Sequence, residues 1–425
     1  MRFEMQEASL GSATSRRSAA KFVAALVAIA ACDVPILSAP AAPLRAAPAN
    51  QAELRERIQR FVDTLPRRSG APGVTVAVAM PDGDILEFAA GMSDMESGFA
   101  MLPDDRLASG SIGKNFVGAY AAALVSEGVI DLNAKIGIYL KQESWFSEVP
   151  NGADITLRML LNHTAGMSEW YTNLPKGMTR AQLVELLDPR RPQIDLLRYS
   201  FKKQPEFKPG TRYQYSDSNL LLAALVLEAA THRDYNEEIM RRFFYPLRMR
   251  HTAPSLSTTE AGYAQGYYES SDNPLAPLFA HGGGRNRFME EPGVQPVNPR
   301  FEGAGGGITT TSHDLALWAK TLFENRAFNG DYLKIFKSSF GPYDPEVGYA
   351  GMAMFAWDPS QGCKLASRTS GAQYGHLGQF LAHSASMIYF PEHRIAIAMM
   401  FNAIVTRENR HRLPTELGDL VVTAL

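Results

Sequence analysis

The sequence predicts an α+β fold: an antiparallel sheet formed by the N- and C-terminal segments, flanked by helices, with an inserted, mainly helical lobe. Two observations predict it. Strand-like alternation appears in "GVTVAVAMPDGDILEFAAG" after residue 72 and returns in "YAGMAMFAW", "GQFLAHSASMIYF" and "RIAIAMMFN" near the end. Between these blocks helices and loops dominate to about Arg300, so the two chain ends must meet to make one sheet. At 425 residues the chain can bury a substantial core as one large domain or two lobes.

Taken in order, the N-terminus has the pattern of an export signal. Arg16, Arg17 and Lys21 precede the apolar run "FVAALVAIAA", which is too short to span a bilayer as a helix. Two endings are open: Ile29-Ala30-Ala31-Cys32 resembles a lipoprotein box, which would lipidate Cys32, and Ala47-Pro48-Ala49 fits ordinary signal cleavage. The prolines of "PILSAPAAPLRAAPA" break helices and suit an extended linker, so residues 1–49 are assigned to signal and linker and 50–425 to the folded domain. The expectation is a periplasmic or secreted protein, touching a membrane only if Cys32 is lipidated.

Within the domain, "QAELRERIQRFVDTL" has apolar residues at helical spacing, and Pro81-Asp82-Gly83 turns the first hairpin. Residues 111–127 are helical, with Phe116, Ala119, Tyr120, Ala123 and Leu124 on one side and Gly128 as the stop. "SNLLLAALVLEAATH" is apolar enough to be a buried helix, and "ITTTSHDLALWAKTLF" is a helix with Thr311 as N-cap. The sheet lobe is expected at about 50–107 and 305–425, and the helical lobe at about 108–304.

Composition removes several functions. Against 44 Asp and Glu stand 42 Lys and Arg, a net charge of −2, which offers no basic field for nucleic acid. Two cysteines, Cys32 and Cys363, make no disulfide framework, and Cys363 reads as a quiet residue near a turn. No H-E-x-x-H or His/Cys cluster points to a metal, and no cofactor is implied. Around Ser111 the order S-G-S-I-G lacks the leading glycine of a nucleophile elbow. Asn115 after Gly113-Lys114, and Ala108 in place of the first glycine, exclude a phosphate loop.

What remains is Ser111 and Lys114 in "GSIGK". Three residues apart on a helix, they share a face, so a desolvated lysine of lowered pKa could take the serine proton, while the helix N-terminus favours an oxyanion. By itself S-x-x-K is a short pattern that chance supplies often. Its context is seven blocks in order: "GSIGK", "GVIDLNAKIGIYL", "ITLRMLLNHTAGM", "FKPGTRYQYSDSNLLLAALVLE", "FYPLRMRHT", "GAGGGITTTSHDLALWA" and "YGHLGQF". In these blocks the sequence resembles the β-lactamase-related serine hydrolases, a family that includes class C β-lactamases, D-alanyl-D-alanine carboxypeptidases and β-lactamase-like esterases.

The resemblance implies a β-lactamase/transpeptidase-like fold and an acyl-serine hydrolase of an ester, amide or peptide bond in a small molecule. The alternative it leaves open is a catalytically weak penicillin-binding-type protein that binds or senses cell-wall fragments. It implies Ser111 as nucleophile, Lys114 as its proton partner and Tyr215 as phenolate or proton shuttle. It further implies His376 as an electrostatic and hydrogen-bonding contact, Gly378 as the place where substrate backbone comes close, and the N–H groups of Ser111 and Gln379 as oxyanion hole. Two positions depart from the family pattern. Asp217 replaces an asparagine that could hold a substrate carbonyl, and is expected near the substrate or paired with Lys114. Leu377 replaces a hydroxyl residue that contacts the carboxylate of β-lactams and peptides, so an ester or unusual amide becomes the favoured substrate. His163 reads as structural, "HGGGRNRF" from His281 as a surface loop, and Arg248 stands where the family favours glycine.

Overall fold

The computed structural model describes residues 49–255, 258–259, 262–268, 275, 287–289, 294–363 and 365–425. The N-terminal residues 1–48, with Cys32 and the expected export signal, and positions 281–286 of the glycine-rich stretch, lie outside the described residues.

Eleven strands are described: β1 Gly73–Ala79, β2 Ile85–Asp94, β3 Phe99–Ala100, β4 Leu107–Ala108, β5 Ala253–Pro254, β6 Ile308–Thr310, β7 Tyr349–Gly351, β8 Met354–Trp357, β9 Gln373–Phe380, β10 His383–Phe390 and β11 Ile395–Phe401. Eight form one antiparallel sheet in the order β3-β2-β1-β11-β10-β9-β8-β7, so the N-terminal hairpin is hydrogen-bonded to the last strand of the chain. The segment "GQFLAHSASMIYF" is two strands, not one: it turns at Leu381-Ala382, and His383 pairs with Phe380. Its unbroken β-forming composition hides the turn, because Leu381 takes a left-handed φ of 50° without a glycine to announce it. A second small sheet, β4-β6-β5, was not expected from the sequence, since strands of two or three residues leave no periodicity to read.

The central strands are buried on both faces, which is why they read as continuous apolar runs. Alternation still sorts them. Ala77, Ala79, Met387, Ala396 and Ala398 face the helix Ser312–Phe323, whose Trp318 and Phe323 fill the space left by small residues. Val74, Val76, Ile388, Ile395 and Ile397 face the helices Ala49–Val62 and Arg407–Val422, through Leu54, Ile58, Leu413 and Leu417. Register fixes the sorting, since Val76 lies opposite Met399 and Ala77 opposite Ala398, and a slip by one residue would exchange the faces. The helix Ser312–Phe323 starts where the sequence predicts: Thr311 caps it by accepting from Asp314 N at 3.2 Å.

The helix Lys114–Ser126 has no single apolar face. It is buried on all sides from Lys114 to Leu124, because sheet and helical lobe close around it. Asp217–Thr231, the other core helix, packs beside it. Arg248, exposed, has φ 55°, a left-handed conformation that explains why glycine suits the position.

Candidate active site

Strand β4 delivers the chain into a 3-10 turn, Gly110–Gly113, that carries Ser111 and leads directly into the helix at Lys114. Ser111 therefore precedes the α-helix rather than lying on it. Gly110 has φ 52°, and a side chain there would strike the backbone of Gln379 on β9. The bare backbone lets the turn press against the strand edge, which brings the main chains of the serine turn and of Gln379 together.

Lys114 is fully buried, and its ammonium has three protons to place. It donates to Ser111 Oγ at 2.9 Å, donates to the Gly305 carbonyl, and forms an ion pair with Asp217 Oδ1 at 2.8 Å. Desolvation pushes its pKa down, but the charge of Asp217 above all, joined by Tyr215 and Glu302 once they ionise, outweighs burial and holds it well above the ordinary lysine value. The expected lowered pKa is thus corrected. Lys114 rests as a cation, because the Asp217 that replaces the family's asparagine supplies the charge that keeps it so.

Tyr215 lies at the entry to the helix Asp217–Thr231, and Ser216 caps that helix by accepting from Ser218 N at 3.2 Å. The Lys114 ammonium stands 5.2 Å from the centre of the Tyr215 ring. The phenol Oη is buried without a hydrogen-bond partner, and burial, only partly offset by Lys114, pushes its pKa up to about 12. It is a neutral phenol at rest, which removes the phenolate option and leaves the proton shuttle. His163 holds it there: its ring stacks on Tyr215 at 4.4 Å, and its Nδ1 accepts from Ser216 N at 3.3 Å. The role is structural.

Sequence reasoning missed two carboxylates. Glu169, in the loop after the "LLNHTAGM" block, accepts from Asp217 N at 2.7 Å and from Trp170 N at 2.9 Å. Glu302, directly before Gly303 of the glycine-rich block, has a buried Oε2 with no partner. Burial first, and the charge of Asp217 second, raise both to about 8. Lone glutamates in loops carry no spacing signal. The available hint was Glu302's closeness to a glycine run that already belonged to a family block.

On β9, His376 is 1% exposed and donates from Nδ1 to the Leu377 carbonyl at 2.7 Å. Burial and the Lys114 charge hold its pKa well below the usual value, so it is neutral and offers Nε2 as a bare acceptor. Its expected electrostatic contribution is corrected to that of an acceptor. At Gly378 a side chain would hit the Ser109 carbonyl, so its smallness admits the serine turn against β9. Leu377 and Gln379 line the cleft, and Arg410 of the C-terminal helix ties to this strand by donating to Gly378 O at 2.7 Å. No spacing or residue pattern connects Arg410, thirty-two residues on, with the third box.

These residues bound a cleft of about 470 Å³ whose lining includes Ser111, Tyr215, Asp217, Glu302, His376 and Gln379, with Trp170, Tyr171, Phe355 and Trp357 as aromatic walls. Cys363 is buried and unpaired away from this lining.

The β-lactamase family model matches residues 58–420. Among similar proteins, a β-lactamase of Escherichia coli K12 is 26% identical over 229 residues, which cover 53% of this chain and 55% of that protein. A D-aminopeptidase of Brucella anthropi is 28% identical over 193 residues, 45% of this chain and 35% of that one. The chain thus spans about half or less of the length of these curated relatives. Among solved structures, a D-amino acid amidase from Ochrobactrum anthropi SV3 superposes with a TM-score of 0.68 at 22% identity, covering 88% of this chain and 98% of that one. An octameric penicillin-binding protein homologue from Pyrococcus abyssi gives 0.65 at 20%, over 87% and 76%. At these identities the two superpositions show the shared fold.

Proposed function

Because the chain belongs to the β-lactamase family, we propose that it is a serine hydrolase that cleaves an ester or amide bond through an acyl-serine intermediate on Ser111. The observation that carries this is the 2.9 Å contact between Lys114 Nζ and Ser111 Oγ inside the cleft. As the serine oxygen bonds to the carbonyl carbon, its proton passes to Lys114, which releases one of its own to Asp217 at 2.8 Å. Tyr215 then gives its phenolic proton to the leaving group as the carbon–leaving-group bond breaks, and is reprotonated from Lys114, which takes its proton back from Asp217. Water repeats the sequence on the ester to free Ser111. The N–H groups of Ser111 and Gln379 hold the oxyanion.

The names of the similar proteins, a D-aminopeptidase and a D-amino acid amidase, favour an amide. Asp217 and Leu377 weigh against β-lactams and D-Ala-D-Ala peptides. The test is fluorophosphonate labelling followed by mass analysis of the peptide bearing Ser111. Adduct on that serine, absent in Ser111→Ala, is expected; labelling unchanged in the variant refutes the assignment. Rates on a nitrophenyl ester, a cephalosporin, a D-Ala-D-Ala peptide and a D-amino acid amide then rank the substrates.

One observation favours the second reading, a penicillin-binding-type protein of weak catalysis: a lysine held as a cation is a poor base. Slow labelling with tight, unhydrolysed ligand binding would select it. The basic and apolar pattern of Arg16–Ala31 supports export, with a lipidated Cys32 or cleavage near Ala49 as the two endings. The mass of the mature N-terminus separates them.

A further inference from the structure

Once Ser111 carries an acyl group, its Oγ becomes the leaving oxygen of the water step, and the Lys114 ammonium that contacts it at 2.9 Å is committed to that oxygen. The other two N–H groups of Lys114 are placed on Gly305 and Asp217. Incoming water finds no open acceptor at the lysine. It needs one on another wall of the cleft.

Four carboxylates line that cleft: Asp217, Glu302, Asp344 and Glu346. Asp217 is held in its ion pair with Lys114 at 2.8 Å. Asp344 folds back on its own turn, accepting from Glu346 N at 2.8 Å and from Val347 N at 3.1 Å, and Glu346 is exposed. Glu302 differs from all three. Its side chain is half-buried and lines the cleft, and its Oε2 is sealed without a partner, which leaves Oε1 as the oxygen free to face the cleft.

The backbone sets that carboxylate beside the nucleophile. Glu302 lies in the kinked turn Pro299–Gly305, in which Gly303 takes φ 49° and ψ −128° and Gly305 gives its carbonyl to Lys114. A β-carbon on Gly306 would overlap Glu302 Oε2 and would lie 3.0 Å from the carbonyl oxygen of Gly110, the residue before Ser111. Carboxylate and serine turn therefore meet across one bare α-carbon.

Two other groups compete for the task. His376 Nε2 is a partnerless acceptor in the same cleft, but burial and the Lys114 charge make it a weak base. Glu169 spends its oxygens on the amides of Asp217 and Trp170 and is not part of the cleft lining. Glu302, raised to about 8 by burial and then by Asp217, binds a proton firmly enough to take one from water.

We infer that Glu302 is the general base of the water step, accepting from the hydrolytic water and taking its proton as the water oxygen bonds to the acyl carbon. This rests on the serine-hydrolase reading and adds a catalytic residue to it. As the bond from carbon to Ser111 Oγ breaks, that oxygen draws a proton along Tyr215 and Lys114, and the proton held on Glu302 recharges the lysine. The product leaves as a carboxylic acid, with serine, tyrosine, lysine and glutamate restored. Asp217 serves acylation and Glu302 serves deacylation, so loss of Glu302 should separate the two.

The test is stopped-flow turnover of nitrophenyl acetate at about pH 9, where Glu302 is ionised, with mass analysis of the peptide bearing Ser111. Glu302→Gln should release one equivalent of nitrophenol in a burst within a few-fold of the wild-type acylation rate, then turn over roughly 10²-fold more slowly while acetyl accumulates on Ser111. Added formate should restore much of the steady-state rate to Glu302→Ala, which a merely structural role would not allow. Steady-state turnover of Glu302→Gln equal to wild type, or burst and turnover falling together without acetyl-Ser111, overturns the inference while the hydrolase reading stands. Absence of any acyl or fluorophosphonate adduct on Ser111 of the wild-type chain refutes that reading, and the inference with it.

Discussion

Replacing Asp217 by asparagine restores the residue of the family pattern and should nonetheless impair the proposed hydrolysis. The carboxylate sits 2.8 Å from a buried ammonium, where Coulomb's law with an effective dielectric constant of 20 gives an attraction of ~6 kcal/mol before solvent relaxation. Its loss removes the acceptor for the proton that Lys114 must shed when it takes the one from Ser111. General acid–base groups are worth roughly 10²–10⁴ in rate, and Glu302 remains as a poorer acceptor, so a fall of about 10²-fold in kcat/KM on a nitrophenyl ester is expected. The pH profile should move as well. Glu169 and Glu302 sit at about 8, raised by burial and then by Asp217, so wild-type activity should climb as pH rises through that region and the carboxylates ionise. Without the Asp217 charge both ionise at lower pH, and the limb should shift towards acid while remaining above the ordinary glutamate range. The measurement is kcat/KM from pH 5 to 10 for both proteins. A plateau equal to or above wild type would refute the relay and show that Asp217 merely locks the lysine.

Three further outcomes are expected. Tyr215→Phe removes the proton donor but no packing volume, so turnover should fall by roughly 10²-fold with circular dichroism unchanged; near-wild-type rates would mean the phenol is not used. Gly378→Ala drives a methyl group into the Ser109 carbonyl, which should cost ~2 kcal/mol, lower Tm by several degrees and slow fluorophosphonate labelling at least tenfold; a variant that labels like wild type would contradict the tight seating of the serine turn on β9. Glu302→Gln bears on stability. Because the folded state raises Glu302 to about 8, wild type is most stable with that group protonated, below about pH 4.5, and loses stability as pH rises through 8. Tm of the glutamine variant should match wild type near pH 5 and exceed it at pH 9, with a gap of the opposite sign counting against a destabilising buried carboxylate.

The sheet formed by both chain ends was legible because its strands carry their burial in composition: "GVTVAVA" and "RIAIAMMF" can lie nowhere but between two layers. Ser111, Lys114 and Tyr215 were legible because their residue types recur at fixed places within ordered blocks, and the chain brings the three into one cleft. Protonation states were not legible. Whether Lys114 is a base or a cation depends on the sum of burial and the charges of Asp217 and Glu302, residues 103 and 188 positions further along, and no local pattern encodes that sum. The same holds for Gly378, whose neighbour is the Ser109 carbonyl, and for Glu169, whose partner is the amide of Asp217. Sequence alone determined which chemical groups were available and the framework that carries them, since periodicity and residue type are properties of the chain. Tertiary structure decided which groups hold protons and which face the substrate, because electrostatic energy depends on distance through space and on the water that folding removes.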